Sequence, residues 1–122
     1  MLVYWSGSGI TKQLAERYGG APLDAYVPEE LCTLIFPTYG SPRTGGYVPP
    51  AVLEFLNMHS HSVECVIGVG NTTFGPDFCK GAIMVGEALS VPVLATIDVV
   101  PDQNQVRVLE TVKEKYEQRH RT

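Results

Sequence analysis

Basic residues are scarce in this chain: nine lysines and arginines stand against thirteen acids, giving a formal net charge of −4, and four of the nine fall in the last ten of 122 residues. A nucleic-acid-binding surface carries a basic face, so that class is set aside, and the tail reads as a solvated helix end. Long apolar runs are missing too. No stretch approaches the roughly eighteen apolar residues of a membrane span. The chain opens directly on a strand-like run without a basic leader, so no signal peptide is expected and the reading is cytoplasmic. Cysteines are few, at positions 32, 65 and 79. They form neither a CxxC nor a zinc pattern, and an odd number argues against a disulfide framework. Cys32 and Cys65 sit in apolar runs and read as small buried hydrophobes. Cys79 falls near a helix start, where a thiol pKa can drop.

What is present suits one domain over residues 1–122. Apolar residues make up 44% of the chain, enough for a core, while 12 glycines and 9 prolines give loops a large share. Met1–Trp5 is a short apolar strand, followed by a Gly/Ser loop and a helix carrying Leu14, Ala15 and Tyr18 on one side. Gly19-Gly20 stops that helix, and Pro22–Tyr26 reads as a short edge strand. Leu31–Phe36 is continuously apolar, the type buried on both faces. Pro49-Pro50 opens a helix with Val52, Leu53, Phe55 and Leu56 inward. Val63–Val69 is a further strand, a helix runs to about Leu89, and Val91–Ile97 is the last strand. A closing helix spans Asp102 to about Arg119, with Val106, Leu109, Val112 and Tyr116 inward. Strands alternating with helices predict an α/β fold with a parallel sheet covered on both faces.

Three irregular Gly-rich loops, at residues 6–11, 38–47 and 70–78, each follow a strand, so they gather at the carboxyl edge of such a sheet. The first is Ser6-Gly7-Ser8-Gly9-Ile10-Thr11. A strand, a tight loop of small residues and a helix start aim free N–H groups at one point, where an anion binds. The plain structural alternative is an ordinary turn with Thr11 as N-cap. The other two loops supply Tyr39, Tyr47, Phe74 and Phe78 amid glycines. A phosphate site at one end and an aromatic slot at the other suit flavin mononucleotide (FMN). For Tyr39 and Phe74, beside loop glycines, the flavin is favoured over packing beneath the loops. There is no GxGxxG, Walker loop or nucleophile elbow, so neither NAD nor a catalytic residue is assigned. His59 and His61 lie in the polar connection Asn57–His61, read as a solvated turn rather than a metal site.

The first loop matches the S/T-x-T/S-G-x-T phosphate loop of flavodoxins. Pro37-Thr38-Tyr39-Gly40, Thr44-Gly45-Gly46-Tyr47-Val48-Pro49 and Phe55-Leu56-Asn57 resemble more narrowly the NrdI family, as do Gly70-Asn71-Thr72-Thr73-Phe74-Gly75, Phe78 and Val91-Pro92-Val93. The likeness runs nearly end to end. It implies a flavodoxin-like three-layer α/β/α sandwich with a five-stranded parallel sheet of order 2-1-3-4-5, holding FMN. It also implies an accessory electron-transfer flavoprotein rather than an enzyme with its own catalytic residues. In that family the reduced flavin reacts with dioxygen to give superoxide or peroxide. The oxidant serves NrdF, the radical-generating subunit of a class Ib ribonucleotide reductase, in assembling a dimanganese–tyrosyl radical. The partners so implied are NrdF docking near the flavin edge, dioxygen and a reductant protein, with no nucleic acid and no membrane.

Carried over residue by residue, Ser6, Ser8, Gly9, Ile10 and Thr11 would hold the phosphate. Thr38, Tyr39, Gly40, Thr44, Gly45 and Gly46 would flank the isoalloxazine, and Asn71, Phe74 and Gly75 would close the other side. Ile10 stands where flavodoxin loops often have Asn, leaving only its backbone N–H to contribute. Ser41-Pro42-Arg43 differs from the all-glycine segment of some relatives and places a cation near the ring. Reduction protonates flavin N5, and a glycine-flanked peptide at Gly40 or Gly45-Gly46 can turn its carbonyl toward that proton at little steric cost.

Two rivals share the topology. One is a one-electron carrier flavodoxin serving another reductase, disfavoured by the short length and the Gly-Asn-x-x-Phe-Gly loop. The other is a flavin-free receiver-like signalling module, which needs acids after the first strand and an Asp after the third. Those places hold Trp5-Ser6 and Pro37-Thr38.

Overall fold

The computed structural model describes residues 1–7, 9–38, 48–70, 79–98 and 100–121. Five strands form one sheet: β1 Leu2–Tyr4, β2 Ala21–Pro22, β3 Cys32–Pro37, β4 Val63–Gly70 and β5 Val93–Asp98. Among the described residues four α-helices connect and cover them: α1 Ile10–Glu16, α2 Pro50–His59, α3 Lys80–Leu89 and α4 Gln103–Arg121. All neighbouring strands pair in parallel in the order β2-β1-β3-β4-β5. This is the predicted flavodoxin-like α/β arrangement, with the predicted strand order.

Alternation along the strands divides the core into two layers. Leu2, Tyr4, Ile35, Ile67, Val69 and Ile97 face Leu14 and Ala15 of α1 and Leu109, Val112 and Tyr116 of α4. Val3, Leu34, Phe36 and Val66 face Val52 and Phe55 of α2 and Ala82 and Val85 of α3. The middle strands are apolar on both faces because helices cover both. Leu34, Ile35, Phe36, Val66 and Ile67 have no measurable exposure. Each such side chain contributes roughly 1.5–3 kcal/mol of burial.

Several boundaries differ from expectation. Pro22–Tyr26 is not a strand. Only Ala21–Pro22 pairs with β1, and Leu23–Ala25 is a single 3₁₀ turn. Pro22 lacks a donor to continue the ladder. The last strand begins at Val93 rather than Val91, after Pro92, whose carbonyl accepts the Val66 N–H. Leu53 points outward at 50% exposure, because Val52 and Phe55 already fill the sheet-facing side of α2.

Gly68 lets α3 lie close to β4. A Cβ there would stand 2.9 Å from the Cβ atoms of both Ala82 and Cys79. Gly86 does the same against β5, where a Cβ would meet Val93 at 2.8 Å.

Candidate functional site

In a parallel sheet, ligands bind beyond the carboxyl ends of the strands where strand order reverses. Here the chain leaves β1 for β2 on one side and then returns to β3 on the other. The reversal lies between β1 and β3. The first Gly/Ser loop follows β1, and Pro37-Thr38 end β3 at the same edge, paired alongside Val69 at the end of β4. The sheet therefore brings together the starts of the three loops singled out in the sequence.

Ser6 and Gly9 of the first loop are tied to each other. The Gly9 N–H donates to Ser6 Oγ at 3.0 Å, so the serine oxygen shapes the loop while its own proton stays free to donate. Gly9 has φ 92° and ψ −11°, a left-handed conformation that disfavours any side chain, and a Cβ placed on it would meet nothing within 4 Å among the described residues. Helix α1 begins at once, its first internal bond running from Gln13 N–H to Gly9 carbonyl at 3.0 Å. The N–H groups of Ile10, Thr11 and Lys12 precede that bond and have no carbonyl within the helix. Gly9, not Thr11, is the N-cap residue, and it makes no side-chain cap. Thr11 lies one residue inside the helix and is only 2% exposed, whereas Ile10 is 43% exposed. Beneath the loop, Gly7 packs on the indole of Trp5, where a Cβ would approach Cη2 to 3.1 Å. Sequence reading passed over this pair. An aromatic next to a glycine two positions on is its only signal.

Thr38 holds a position the sequence did not foresee. Its Oγ1 accepts the N–H of Gly81, in the first turn of α3, at 3.0 Å. Ser8, Tyr39, Gly40, Thr44, Gly45, Gly46, Asn71, Phe74 and Gly75 lie outside the described residues, as does Arg43. Of the expected site, the described structure thus places Ser6, Gly9, Ile10, Thr11 and Thr38 at one edge.

Cys79 lies at the start of α3, where the sequence places it. It is the N-cap residue of α3 in a left-handed conformation (φ 54°) and is 1% exposed. Burial pushes its thiol up to about 11, and a backbone hydrogen bond from Ile97 offsets only part of that. A helix start lowers a thiol pKa only where the thiolate is not desolvated. Cys32 and Cys65 are buried, as expected, and the Cys32 thiol is pushed up to about 12 by the same cause.

Among the described residues no cluster of His, Cys, Asp or Glu could hold a metal ion, and no helix is long and apolar enough to cross a membrane. A groove of about 410 Å³ lined by Met1, Tyr18, Lys113 and Tyr116 lies at the opposite, amino-terminal edge of the sheet.

The donor set at the first loop fits a phosphate: consecutive free N–H groups, a serine hydroxyl and a glycine that leaves room. Comparison with known proteins bears on the family and the fold. The family model described as "NrdI Flavodoxin like" matches residues 2–111. A Mycobacterium leprae protein named NrdI is 37% identical over 119 residues, covering 86% of each chain. Its namesake in Mycobacterium tuberculosis is 34% identical over 124 residues, covering 90% of this chain and 83% of its own. An Enterobacter protein of the same name is 33% identical, covering 87% and 85%. Among solved structures, the flavodoxin of Streptococcus pneumonia TIGR4 superposes with a TM-score of 0.65 at 16% identity over 97% of both chains. A short-chain flavodoxin associated with a bacterial microcompartment gives 0.64 at 16% identity, covering 93% and 92%.

Proposed function

The chain belongs to the NrdI flavodoxin-like family, and from that premise we propose that it is an FMN-binding accessory flavoprotein of a class Ib ribonucleotide reductase. The bound flavin, reduced by a reductant protein, would supply two-electron and one-electron chemistry toward dioxygen, giving superoxide or peroxide for the radical-generating subunit NrdF.

The observation that carries the reading is the turn at Ser6–Gly9, with the free first-turn N–H groups of α1 at the β1/β3 reversal. In this reading Ser6, Ser8 and the backbone at Gly9, Ile10 and Thr11 hold the phosphate. Left-handed Gly9 keeps the loop backbone bare, so that donors rather than side chains meet the anion. Thr38, Tyr39, Gly40 and Thr44-Gly45-Gly46 line one side of the ring, and Asn71, Phe74 and Gly75 the other. Glycines at 40, 45 and 46 permit a peptide to turn toward N5 when that atom carries a proton. NrdF would dock on the edge formed by these loops.

The test is an FMN titration followed by quenching of flavin fluorescence, then anaerobic reduction and exposure to air in the presence of NrdF. Stoichiometric binding, rapid reoxidation and formation of the tyrosyl radical are expected. A protein that binds no FMN overturns the reading. One that binds FMN but yields no radical with NrdF leaves the alternative of a one-electron carrier.

A further inference from the structure

We propose that Trp5 is a positioning residue for the phosphate end of the site: its indole is the floor on which the first loop rests, and it acts on FMN through the backbone at Gly7. The proposal rests on the FMN reading above and concerns the first loop alone.

The end of β1 carries two aromatic residues in succession, and strand alternation sends them to opposite faces of the sheet. Tyr4 is buried in the layer of α1 and α4, where its hydroxyl donates to Oε1 of Glu16, the last residue of α1, at 3.0 Å. Trp5 is partly buried and packs against the layer of α2 and α3. Its backbone is held as well. The Trp5 N–H donates to the Ile35 carbonyl of β3 at 3.2 Å, which carries the pairing one residue past Tyr4. The first loop thus leaves the sheet from a residue fixed both by its main chain and by its ring.

Gly7 lies on that ring. A Cβ built there would stand 3.1 Å from Cη2 of Trp5 and 3.4 Å from Cζ3, so a side chain would push the loop and the indole apart. Gly7 falls between Ser6 and Gly9, the two residues joined by the bond from Gly9 N–H to Ser6 Oγ. A groove of about 310 Å³, lined in part by Trp5, Ser6, Leu23 and Ala51, runs beside the indole. Shortening the Trp5 side chain would extend this groove beneath Gly7, and the loop backbone would lose the atoms it rests on. Hydrogen bonds from backbone N–H groups weaken steeply with misalignment, so a phosphate held by this loop feels its displacement. In the FMN reading the ring is held by other residues and does not.

FMN and riboflavin share the ring and the ribityl chain and differ only in the phosphate, so the ratio of their dissociation constants isolates the phosphate end. Trp5→Leu should lower the preference for FMN over riboflavin roughly five- to tenfold, as befits one lost hydrogen bond, while riboflavin affinity holds at its wild-type value. Gly7→Ala should lower the preference too. The two effects should not add, because Trp5→Leu removes the atoms that the new methyl would strike. A merely structural role would lower the urea midpoint and leave the ratio where it was. Should the leucine variant fail to fold, Trp5→Phe takes its place. A wild-type ratio in a folded Trp5 variant, or effects of Trp5→Leu and Gly7→Ala that add in full, overturn the role of Trp5 alone. Wild-type protein that binds both flavins equally well overturns the proposal and leaves flavin binding standing. Wild-type protein that takes up neither overturns the underlying reading, and the role of Trp5 with it.

Discussion

The hydroxyl of Thr33 in β3 lies 2.6 Å from that of Tyr116 in α4, 83 residues further along the chain, and both are buried. The direction of this bond follows from counting protons. Tyr116 donates its only one to Glu64 Oε2 at 2.9 Å. Thr33 must therefore donate to Tyr116, which leaves its own oxygen to accept from the Cys65 thiol at 3.0 Å. The result is a directed chain from Cys65 through Thr33 and Tyr116 to Glu64. It ends on a carboxylate that also meets both guanidinium nitrogens of Arg119, at 2.9 and 3.0 Å, and Lys115 Nζ at 3.0 Å. It fastens the last helix to the amino-terminal edge of the sheet.

Tyr116→Phe cuts this chain in the middle and leaves the buried Thr33 hydroxyl without its acceptor. The expected cost is about 1–3 kcal/mol, read as a lower urea midpoint with an unchanged slope. FMN affinity should not change, since the site lies at the other edge of the sheet.

Glu64 makes stability depend on acid. Burial alone would raise its pKa, but hydrogen bonds from Arg119, Lys115 and Tyr116 outweigh that and bring it from 4.5 down to about 2. A carboxyl whose folded pKa is depressed stabilises fully above the unfolded value. That contribution is lost as pH falls from about 4.5 toward about 2. Glu64→Gln should cost about 1–2 kcal/mol at pH 7, the lower part of the range for bonds to charged groups because both cations are partly exposed. Urea melts from pH 7 to pH 3 should converge for wild type and variant as the pH drops.

Gly68→Ala should destabilise by about 1–3 kcal/mol, because the added methyl would need α3 to move off β4. Its nearest neighbours, Ala82 and Cys79 at 2.9 Å, are short side chains that cannot swing away. Thermal unfolding of the FMN-free protein measures it.

Gly9→Ala meets no steric obstacle within 4 Å among the described residues, so its expected cost is conformational, from φ 92°. A loss of about 1–2 kcal/mol is expected without FMN. Gly9→Asn should lose less, since Asn enters the left-handed region more readily. Equal losses for the two variants would show that the strain lies elsewhere.

The three thiols should be silent to a charged disulfide reagent in the native protein and react together on unfolding. Cys32 is 0% exposed, Cys65 3% and Cys79 1%, and burial raises the pKa of each. Fast labelling of Cys79 in the folded state would contradict its placement under α3.

The sheet was legible in the residues alone. Continuous apolar runs at Leu31–Phe36 and Val63–Val69 have only one stable home, a strand covered on both faces, and alternation with helices makes that sheet parallel. The residues also determined which edge bears the starts of the loops, because each follows a strand. The tertiary structure alone decided the rest. Thr11 looked like an N-cap until left-handed Gly9 took that place, a choice made by backbone geometry that composition does not encode. Only the structure shows why the Cys79 thiol is pushed up, by close packing on Gly68, since desolvation depends on what lies above a residue in space. The bond from Gly81 to Thr38 was not legible in the sequence, and Tyr116 looked like one more apolar position, yet it ends in a polar chain to Glu64. Periodicity reports which face a residue occupies. Hydrogen bonds across 43 and 83 residues depend on which strand ends the fold brings side by side.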